Sequence, residues 1–520
     1  MLKKLIKRAL SQTPSDGIPG SETMGVKIKS SLIENEKYIR NQFGNTRDLV
    51  IRHLTIAGRA QAMLVYLDNM IDIKVVNEHL MEPLMERRQY PVDDMEDLIR
   101  TVIQVGQIKT SSKMDELLGH VLYGNTALFI DNMPQAVVFE TKGWEHRSVD
   151  KPDTEKNVLG PKEAFTETAM VNQTMLRRRI RSTRLRFELM KVGEITQTDI
   201  VVTYIDGLAK PELIKELKRR IKKVKIDGVF CCGFFKELLD DNPLSPFPTM
   251  EGTERPDKMT AALLEGRVGL IIDGTPFALI IPTMFWDFLM TPDDYYSRFY
   301  SGTFLRLLRL AAVAITLTLP SLYIAITTHH QEMLPTALAL SIAGAREGVP
   351  FSAFIEAVLM ELAFELVREG GVRLPAVVGQ AVSIVGALVL GQSGVEAGIV
   401  SSTMVIVVAT TGIASFAIPG YSAANTIRLL RFPLMVLSGL WGLPGLVSGL
   451  LIIFCHMISL SSFGTSYLYP VAPVKLGAWK DVAIRVPWWA MATRPKIAAN
   501  KKRLRPFIPP GKQDGDQGAS

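Results

Sequence analysis

The 520-residue sequence predicts an α/β N-terminal soluble region, built from a duplicated α/β unit, followed by an all-α polytopic membrane domain. Two observations predict this architecture: long charge-free runs occur from residue 310 onward, and two strand patterns recur earlier in the chain. The charge-free runs are Leu310–Gln331, Leu374–Val395, Ala397–Ile427 and Phe432–Val474. Each run can supply the stretch of about 20 apolar residues that a helix needs to cross a bilayer.

The repeat rests on two landmarks that recur in the same order, which is typical of a duplication. The first is an apolar strand pattern that ends in Tyr-x-Asp, at Tyr66 and again at Tyr204. The second is an apolar strand followed by Asp-Asn/Gly-x-Pro, at Asp131 and again at Asp273. Because Asp, Asn, Gly and Pro favour hairpin turns, we interpret these aspartates as turn formers rather than catalysts. The alternative is a chance similarity between strand–turn patterns.

An amphipathic helix is predicted after each first landmark, at Val75–Met85 and at Pro211–Lys222. We divide the chain into a basic N-terminal segment (1–30), two soluble α/β subdomains (31–150 and 160–300), a transmembrane helical domain (304–460) and a basic cytosolic tail (461–520). The opening MLKKLIKRAL lacks the long apolar core and small-residue cleavage site of a signal peptide.

The net charge of +7 is concentrated in the tail. From Ser461 to Ser520 there are ten Lys or Arg and three Asp or Glu. A basic segment just after the last apolar run is typical of the cytosolic side and of contact with anionic lipid headgroups. Nucleic-acid binding is the weaker interpretation, since no aromatic–basic interleaving or recognition fold accompanies the tail.

Six arginines lie close together in the second soluble subdomain: Arg177, Arg178, Arg179, Arg181, Arg184 and Arg186. The preferred interpretation is a solvated, salt-bridged helix. The alternative is a surface for an acidic partner or an anion.

The predicted spans are Phe304–Ile326, Leu374–Leu390, Gly398–Ile418 and Leu434–Met457, the last with a kink at Pro444. His456, within an apolar run, is interpreted as a packed, hydrogen-bonded residue. The positive-inside rule places both the soluble region and the tail in the cytosol, which requires an even number of spans.

The segment Val349–Glu369 is helical by pattern yet carries Glu356, Glu361 and Glu365. Charges in lipid are costly, so these must face a bundle interior, an aqueous path or the interface. One hypothesis is a pore or cavity in which a ring of these glutamates in an oligomer favours cations. The other, slightly preferred, is an interfacial amphipathic helix, giving four spans rather than five.

Motifs for common enzyme chemistry are absent from the sequence. It contains no P-loop, no His-Glu-x-x-His and no Gly-x-Ser-x-Gly. The three cysteines, Cys231, Cys232 and Cys455, lack the spacing of a zinc site. We therefore expect no enzymatic activity, no cofactor and no metal.

Several motifs together resemble the A-subunit family of spore germinant receptors, the GerA family. They include Asn242-Pro243-Leu with the following Pro-Phe-Pro, Glu254-Arg255-Pro256-Asp257, Asp273-Gly274-Thr275-Pro276 and Met360-Glu-Leu-Ala-Phe-Glu-Leu-Val-Arg-Glu-Gly. The resemblance extends over most of the chain.

The resemblance implies a multi-pass protein of the spore inner membrane, or cell membrane, with its soluble region in the cytosol. It implies action beside a transporter-like B subunit, which binds the nutrient, and a lipoprotein C subunit. It further implies a homo-oligomer that forms a nutrient-gated cation channel and starts germination. The alternative is a non-conducting scaffold subunit of a germination complex, of the stage V sporulation type.

Overall fold

The computed structural model describes residues 26–56, 60–86, 108–143, 152, 154–373, 391–474, 479, 481–488, 491 and 494. The chain divides into two compact units. The first unit holds the residues up to Asp240, Met250–Pro282 and those from Pro487 onward; the second holds Asp241–Thr249 and Thr283–Val486. In this division a boundary lies between Pro282 and Thr283, and the described residues of 461–486 group with the second unit. Residues 1–25 of the predicted N-terminal segment lie outside the described residues, as does the predicted span Leu374–Leu390.

The described part of the first unit contains two five-stranded antiparallel sheets flanked by helices. The strands are β1 Leu49–Ile56, β2 Ala60–Leu67, β3 Ile108–Ser111, β4 Thr126–Ile130, β5 Ala136–Phe139, β6 Leu185–Val192, β7 Thr198–Ile205, β8 Glu251–Thr253, β9 Val268–Ile272 and β10 Ala278–Ile281. The helices are α1 Leu32–Phe43, α2 (Ile73–Val75, a π turn Val76–Met81, and Glu82–Glu86), α3 Met114–Leu122, α4 Ala169–Arg179, α5 Pro211–Lys223, α6 Cys232–Leu239 and α7 Pro256–Leu264.

The two sheets share one topology. Their strand orders are β1-β2-β4-β5-β3 and β6-β7-β9-β10-β8, and every neighbouring pair is antiparallel. Each strand of the second sheet therefore has the same position as the strand numbered five lower in the first sheet. Helices α2 and α5 follow the second strand of their copies, close to the predicted bounds. The predicted duplication is therefore confirmed.

Strand β2 shows why the apolar runs form central strands. Leu64 and Tyr66 pack on one face of the sheet in a core with α2, whereas Met63 and Val65 pack on the other with α1 and α3. Successive side chains of a strand point to opposite faces, so a strand covered by helices on both faces is apolar at every position.

The turn aspartates connect each hairpin to the helix that opens its copy. The Asp273 carboxylate accepts a hydrogen bond from the Ala169 amide, the first of α4, at 2.9 Å. Asp131 accepts one from the Leu32 amide, the first of α1, at 3.4 Å. The first amides of a helix lack intrahelical partners and attract negative charge. The prediction that these aspartates are turn residues is confirmed, and they act as helix caps as well.

Buried arginines join the two copies. Arg177 is 1% exposed, pairs with Asp48 at 2.7 Å and donates to the Leu185 carbonyl. Burial lowers the pKa of Arg177, and the Asp48 carboxylate opposes that shift. Arg186 is also buried and donates to the Phe43 carbonyl. The preferred interpretation of a solvated arginine helix is therefore wrong for these two residues, because they provide links between the copies.

The second unit is helical in its described part. It contains a 3-10 turn Phe285–Leu289, α8 Asp293–Tyr296, α9 Phe299–His329, a 3-10 turn Gln331–Met333, α10 Thr336–Arg346, α11 Ala353–Arg373, α12 Ser402–Phe416, α13 Tyr421–Ser459 and a short hairpin of β11 Ser461–Ser462 with β12 Thr465–Ser466. Of the described helices, α9 and α13 are long and apolar enough to cross a membrane, while α12 is apolar but has 15 residues.

Helix α13 is folded back on itself at Gly442, whose φ of 64° and ψ of −139° are not helical. In a straight helix residues 434 and 449 would be about 22 Å apart. Instead, a Cβ on Gly449 would lie 2.4 Å from Leu434 Cδ2. The segments 421–441 and 443–459 are therefore two antiparallel helices, about 31 and 26 Å long. The predicted kink occurs two residues before Pro444.

The chain enters and leaves the second unit at the same end. The Thr283 amide donates to Ser462 Oγ at 3.2 Å. Near the start of α9, Arg306 pairs with Asp481 at 2.7 Å, and Arg485 donates to the Ser297 carbonyl at 2.8 Å.

Candidate functional site

Helix α11 carries the predicted polar residues and runs along the helical bundle. Glu361 pairs with Arg431, and one turn later Glu365 lies beside Arg428. From Glu361 to Glu365 the residue number rises along α11, while the number of the partner falls from Arg431 to Arg428. The two helices are therefore antiparallel. The charged side of this helix therefore packs against a neighbouring long helix rather than facing solvent, as the interfacial hypothesis expected.

Glu361 and Arg431 form the most deeply buried ion pair of the cluster. Both side chains are 0% exposed, and Arg431 Nη2 lies 2.7 Å from Glu361 Oε2. Within the described residues, Glu361 has one ion-pair partner, Arg431. The same Nη2 lies 3.4 Å from Glu365 Oε1.

Glu365 lies at the partly open edge of the same cluster. It is 21% exposed and pairs with Arg368 on its own helix at 2.5 Å and with Arg428 at 3.5 Å. With Glu361 and Arg431, the cluster contains two carboxylates and three guanidinium groups. The glutamates are therefore neutralised by arginines within a single subunit.

Glu356 belongs to a different environment, near the start of α11. It is 0% exposed, and its carboxylate accepts hydrogen bonds from the amide and hydroxyl of Ser401. Arg346 lies 3.7 Å away. Because the Ser401 hydroxyl also accepts from the Met404 amide at 3.3 Å, Glu356 is tied to the N-terminus of α12. The structure thus brings Glu361 and Glu365 together and leaves Glu356 apart, about 7.5 Å along the helix from Glu361.

The opposite face of α11 is apolar and exposed. Ile355, Leu359, Leu362 and Leu366 are between 43% and 74% exposed, while the charged residues above are turned inward. A helix of a soluble protein shows the reverse pattern, with its apolar stripe toward the core. Charged groups inside and apolar groups outside are typical of a helix surrounded by lipid.

Sequence reasoning missed the arginines of this cluster. Arg428 and Arg431 lie between two of the charge-free runs, which end at Ile427 and resume at Phe432. Their spacing of three residues places them on one helix face, as the spacing of four does for Glu361 and Glu365. Two helices with oppositely charged pairs at these spacings can align their charges. This pattern is the signal that could have predicted the pairing.

The motif around Asn242 and Pro243 belongs to the second unit, in the segment Asp241–Thr249. Next to it, Ser245 Oγ lies 2.9 Å from His456 Nε2. The Pro246 carbonyl accepts from Thr426 Oγ1. His456 is thus hydrogen-bonded, as predicted, and the motif segment holds the two arms of the α13 hairpin.

Two further motifs lie in the first unit and have structural roles, whereas the motif that begins at Met360 lies in α11. Arg255 is 1% exposed and pairs with Asp257 at 2.7 Å, while Glu254 accepts from Thr154 Oγ1 at 2.7 Å. One motif, which contains Glu254, Arg255, Pro256 and Asp257, lies at the start of α7. The other, which contains Asp273, Gly274 and Pro276, lies in the β9–β10 turn. Gly274 has a φ of +85°, a left-handed conformation that glycine adopts readily and residues with a side chain rarely adopt. Within the described residues, no group of three or more His, Cys, Asp or Glu side chains is placed to hold a metal.

Comparisons with known proteins identify the family. Residues 37–497 match the family described as Bacillus/Clostridium GerA spore germination protein. The sequence is 41% identical over 483 residues to spore germination protein KA of Bacillus subtilis (strain 168), covering 92% of this chain and 89% of that protein. It is 40% identical over 468 residues to the protein named "Uncharacterized membrane protein YfkQ" of the same organism, covering 90% and 91%.

Two further similarities extend to another species and to a solved structure. Spore germination protein GerLA of Bacillus cereus is 37% identical over 484 residues, covering 92% of this chain and 98% of that protein. The crystal structure of the N-terminal domain of the A subunit of the Bacillus megaterium spore germinant receptor GerK3 matches 50% of this chain and 98% of its own, at 31% identity and a TM-score of 0.40. On the family match and the identities over most of its length, this chain belongs to the Bacillus/Clostridium GerA spore germination protein family.

Proposed function

We propose that this chain is the A subunit of a spore germinant receptor, acting in the spore inner membrane. The observation that carries the proposal is the family match over residues 37–497, which includes both units of the structure. By the same reasoning its partners are a transporter-like B subunit, a lipoprotein C subunit and membrane lipid. Its soluble region lies in the cytosol.

A membrane location is supported by the polarity of the second unit. Two of its described helices have the length and composition to cross a bilayer. Helix α11 turns Leu362 and Leu366 outward and Glu361 inward, an arrangement that water would disfavour and lipid would favour.

The proposed activity is a nutrient-gated cation channel formed by a homo-oligomer of this subunit. Ionisable side chains inside a membrane domain mark ion paths more often than they serve packing alone. Glu356, Glu361 and Glu365 are the residues that we propose to border the path. Because Glu361 is paired with Arg431 in the single subunit, the structure corresponds in this proposal to a closed state, and opening requires that pair to separate.

Potassium flux through the full-length protein in liposomes, with and without its partner subunits, tests the channel. We expect Glu361→Gln and Glu365→Gln to change the flux, since each removes a carboxylate from the cluster. Glu369→Gln is the matched control, because Glu369 is on the same helix, 55% exposed and paired with Arg373 near its end. Wild-type flux in both cluster variants would rule out the glutamate path. A folded oligomer that conducts nothing with all partners and nutrient present would favour the scaffold alternative.

A further inference from the structure

An exposed apolar patch lies on α6 in the second α/β copy. Its members, Phe230, Phe234 and Leu238, are between 38% and 68% exposed, and the two phenylalanine rings meet edge to face with centroids 6.0 Å apart. Phe235 and Leu239, each one position further along the helix, are buried. Helix α6 thus buries one apolar stripe in its own unit and exposes a second, about 100° away around the helix. We call the three exposed side chains the α6 patch.

The helix that precedes the patch is strongly basic. Residues 215–225 include seven Lys or Arg and one acidic residue, Glu216. Three of the lysines, Lys222, Lys223 and Lys225, are exposed at the end of α5 and just beyond it. This segment therefore presents an excess of positive charge to its surroundings.

The basic segment and the α6 patch lie close together. Arg220 Nη1 donates to the Leu239 carbonyl at 2.7 Å, which joins the last turn of α5 to the end of α6. Lys223 follows Arg220 by one turn of its helix, and Leu238 directly precedes Leu239. Exposed phenylalanine and leucine beside exposed lysines is the composition of segments that lie in a membrane interface.

The position of α6 in the chain favours a membrane as its partner. Helix α6 ends at Leu239, and the chain enters the second unit two residues later, at Asp241. If the second unit lies in a bilayer, so short a connection holds the α6 patch at a high effective concentration near that bilayer.

A protein partner fits the patch less well than lipid does. A stable protein interface buries about 800 Å² on each partner, more than three partly exposed side chains provide. Lysine is also depleted at the core of such interfaces. Anionic headgroups, in contrast, attract each nearby lysine, while phenylalanine and leucine enter the boundary between headgroups and acyl chains.

We propose that the α6 patch docks on the anionic surface of the membrane that holds the second unit. The patch enters the boundary between headgroups and acyl chains, and the three exposed lysines contact the headgroups. Docking fixes the second α/β copy against the bilayer. It rests on the membrane location proposed above and is independent of whether the second unit conducts ions.

Quenching of an environment-sensitive dye by doxyl-labelled acyl chains tests the docking in the full-length protein. Cys231 is exposed next to the patch and takes the dye in a chain with Cys232→Ala and Cys455→Ala, so the patch itself stays intact. The liposomes contain phosphatidylcholine alone, or phosphatidylcholine and phosphatidylglycerol in equal parts. We expect strong quenching at position 231 with the anionic lipid and weaker quenching without it.

Two further dye positions, in chains with Cys231→Ala as well, supply matched controls. Leu451→Cys is 58% exposed on α13 and reports insertion of the second unit, so it should be quenched in both kinds of liposome. Ile33→Cys is 79% exposed on α1 of the first copy and should stay unquenched. Quenching at 451 without quenching at 231 overturns the docking alone. Absent quenching at 451 overturns the membrane location, and the docking with it.

Variants of the patch and of the lysines separate lipid contact from other causes. Neutralising all three exposed lysines to glutamine should lower the ratio of docked to undocked protein about a hundredfold, at about fivefold for each lysine. Phe230→Ser with Leu238→Ser should abolish quenching at 231 and leave the unfolding temperature unchanged, since both side chains are exposed. Lys37→Gln, exposed on α1, is the matched control and should dock as wild type.

Two outcomes of the variant series overturn the docking. One is quenching at position 231 that persists in both the lysine and the patch variants. The other is a dye whose emission shows a dry environment but which the acyl chains do not quench, because a second copy or another protein then covers the patch.

Discussion

Replacing Arg431 by methionine should destabilise the second unit by about 3–5 kcal/mol, because it leaves the Glu361 carboxylate buried without a counter-ion. Both side chains are 0% exposed, and 2.7 Å separates their charged atoms. Glu361→Met should cost less, since the Arg431 that remains still has Glu365 at 3.4 Å. Arg431→Met should therefore be more destabilising than Glu361→Met, because Arg431 has a second carboxylate nearby.

The double variant Glu361→Met/Arg431→Met should recover most of the lost stability. Replacing both members of a buried ion pair by apolar side chains of similar size is often neutral or stabilising, in contrast to removing one member. The expected coupling between the two sites is about 0.5–3 kcal/mol, the range for residues in contact.

Thermal unfolding in lipid nanodiscs measures all three variants. A loss of 3–5 kcal/mol corresponds to a shift of roughly 6–20 °C for a unit of this size. Glu369 and Arg373 supply the matched control: they pair at 2.6 Å on the same helix but are 55% and 78% exposed, so breaking their pair should cost at most about 1 kcal/mol. Additive losses in the double variant would refute the buried-pair reasoning, as would equal costs for the buried and exposed pairs.

The remaining predictions concern the links that hold each unit together. Asp48→Asn leaves Arg177 buried without its counter-ion and should lower the stability of the first unit by about 3–5 kcal/mol in urea unfolding; an unchanged midpoint would contradict it. Gly442→Ala should cost more than about 1 kcal/mol in thermal unfolding, because the residue has a φ of 64°; a neutral result would argue against the hairpin turn. Asp273→Ala should cost about 1 kcal/mol by loss of a helix cap. The loss of stability for Asp273→Ala should exceed that for Asp131→Ala, because the hydrogen bond of Asp131 is longer, at 3.4 Å. A larger loss for Asp131→Ala in urea unfolding would exclude capping as the cause.

The duplicated α/β fold could be predicted because its signals are local. Tyr66 and Tyr204 end central strands in both copies, and Asp131 and Asp273 occupy equivalent hairpin turns. Strand alternation and turn chemistry depend on neighbours within a few residues, which a single sequence displays. The same locality explains why the amphipathic helices were placed within a few residues of their observed bounds.

The roles of the charged residues could not be predicted in the same way, because they depend on distant partners. Arg177 and Arg178 are adjacent, yet Arg177 is buried against Asp48, 129 residues away, whereas Arg178 is 37% exposed and lies 4.0 Å from Glu163. Helical periodicity places side chains on faces but does not say which face another copy will cover. Glu361 was recognised as costly in lipid, but its neutralisation by Arg431 follows only from the packing of two helices.

Two features of the helical unit differ from the pattern on which the four predicted spans were based. Helix α11 was set aside for its charges, yet it runs antiparallel to segment 421–441 within the bundle. The apolar region that includes α13 was counted as one span there, yet Gly442 divides it into two antiparallel helices. Each difference adds one helix to the four predicted spans, so the number of candidate spans stays even while it rises by two. Helices α11 and α12 run in the same direction, since Glu356 contacts Ser401 and Phe364 lies 6.4 Å from Phe416.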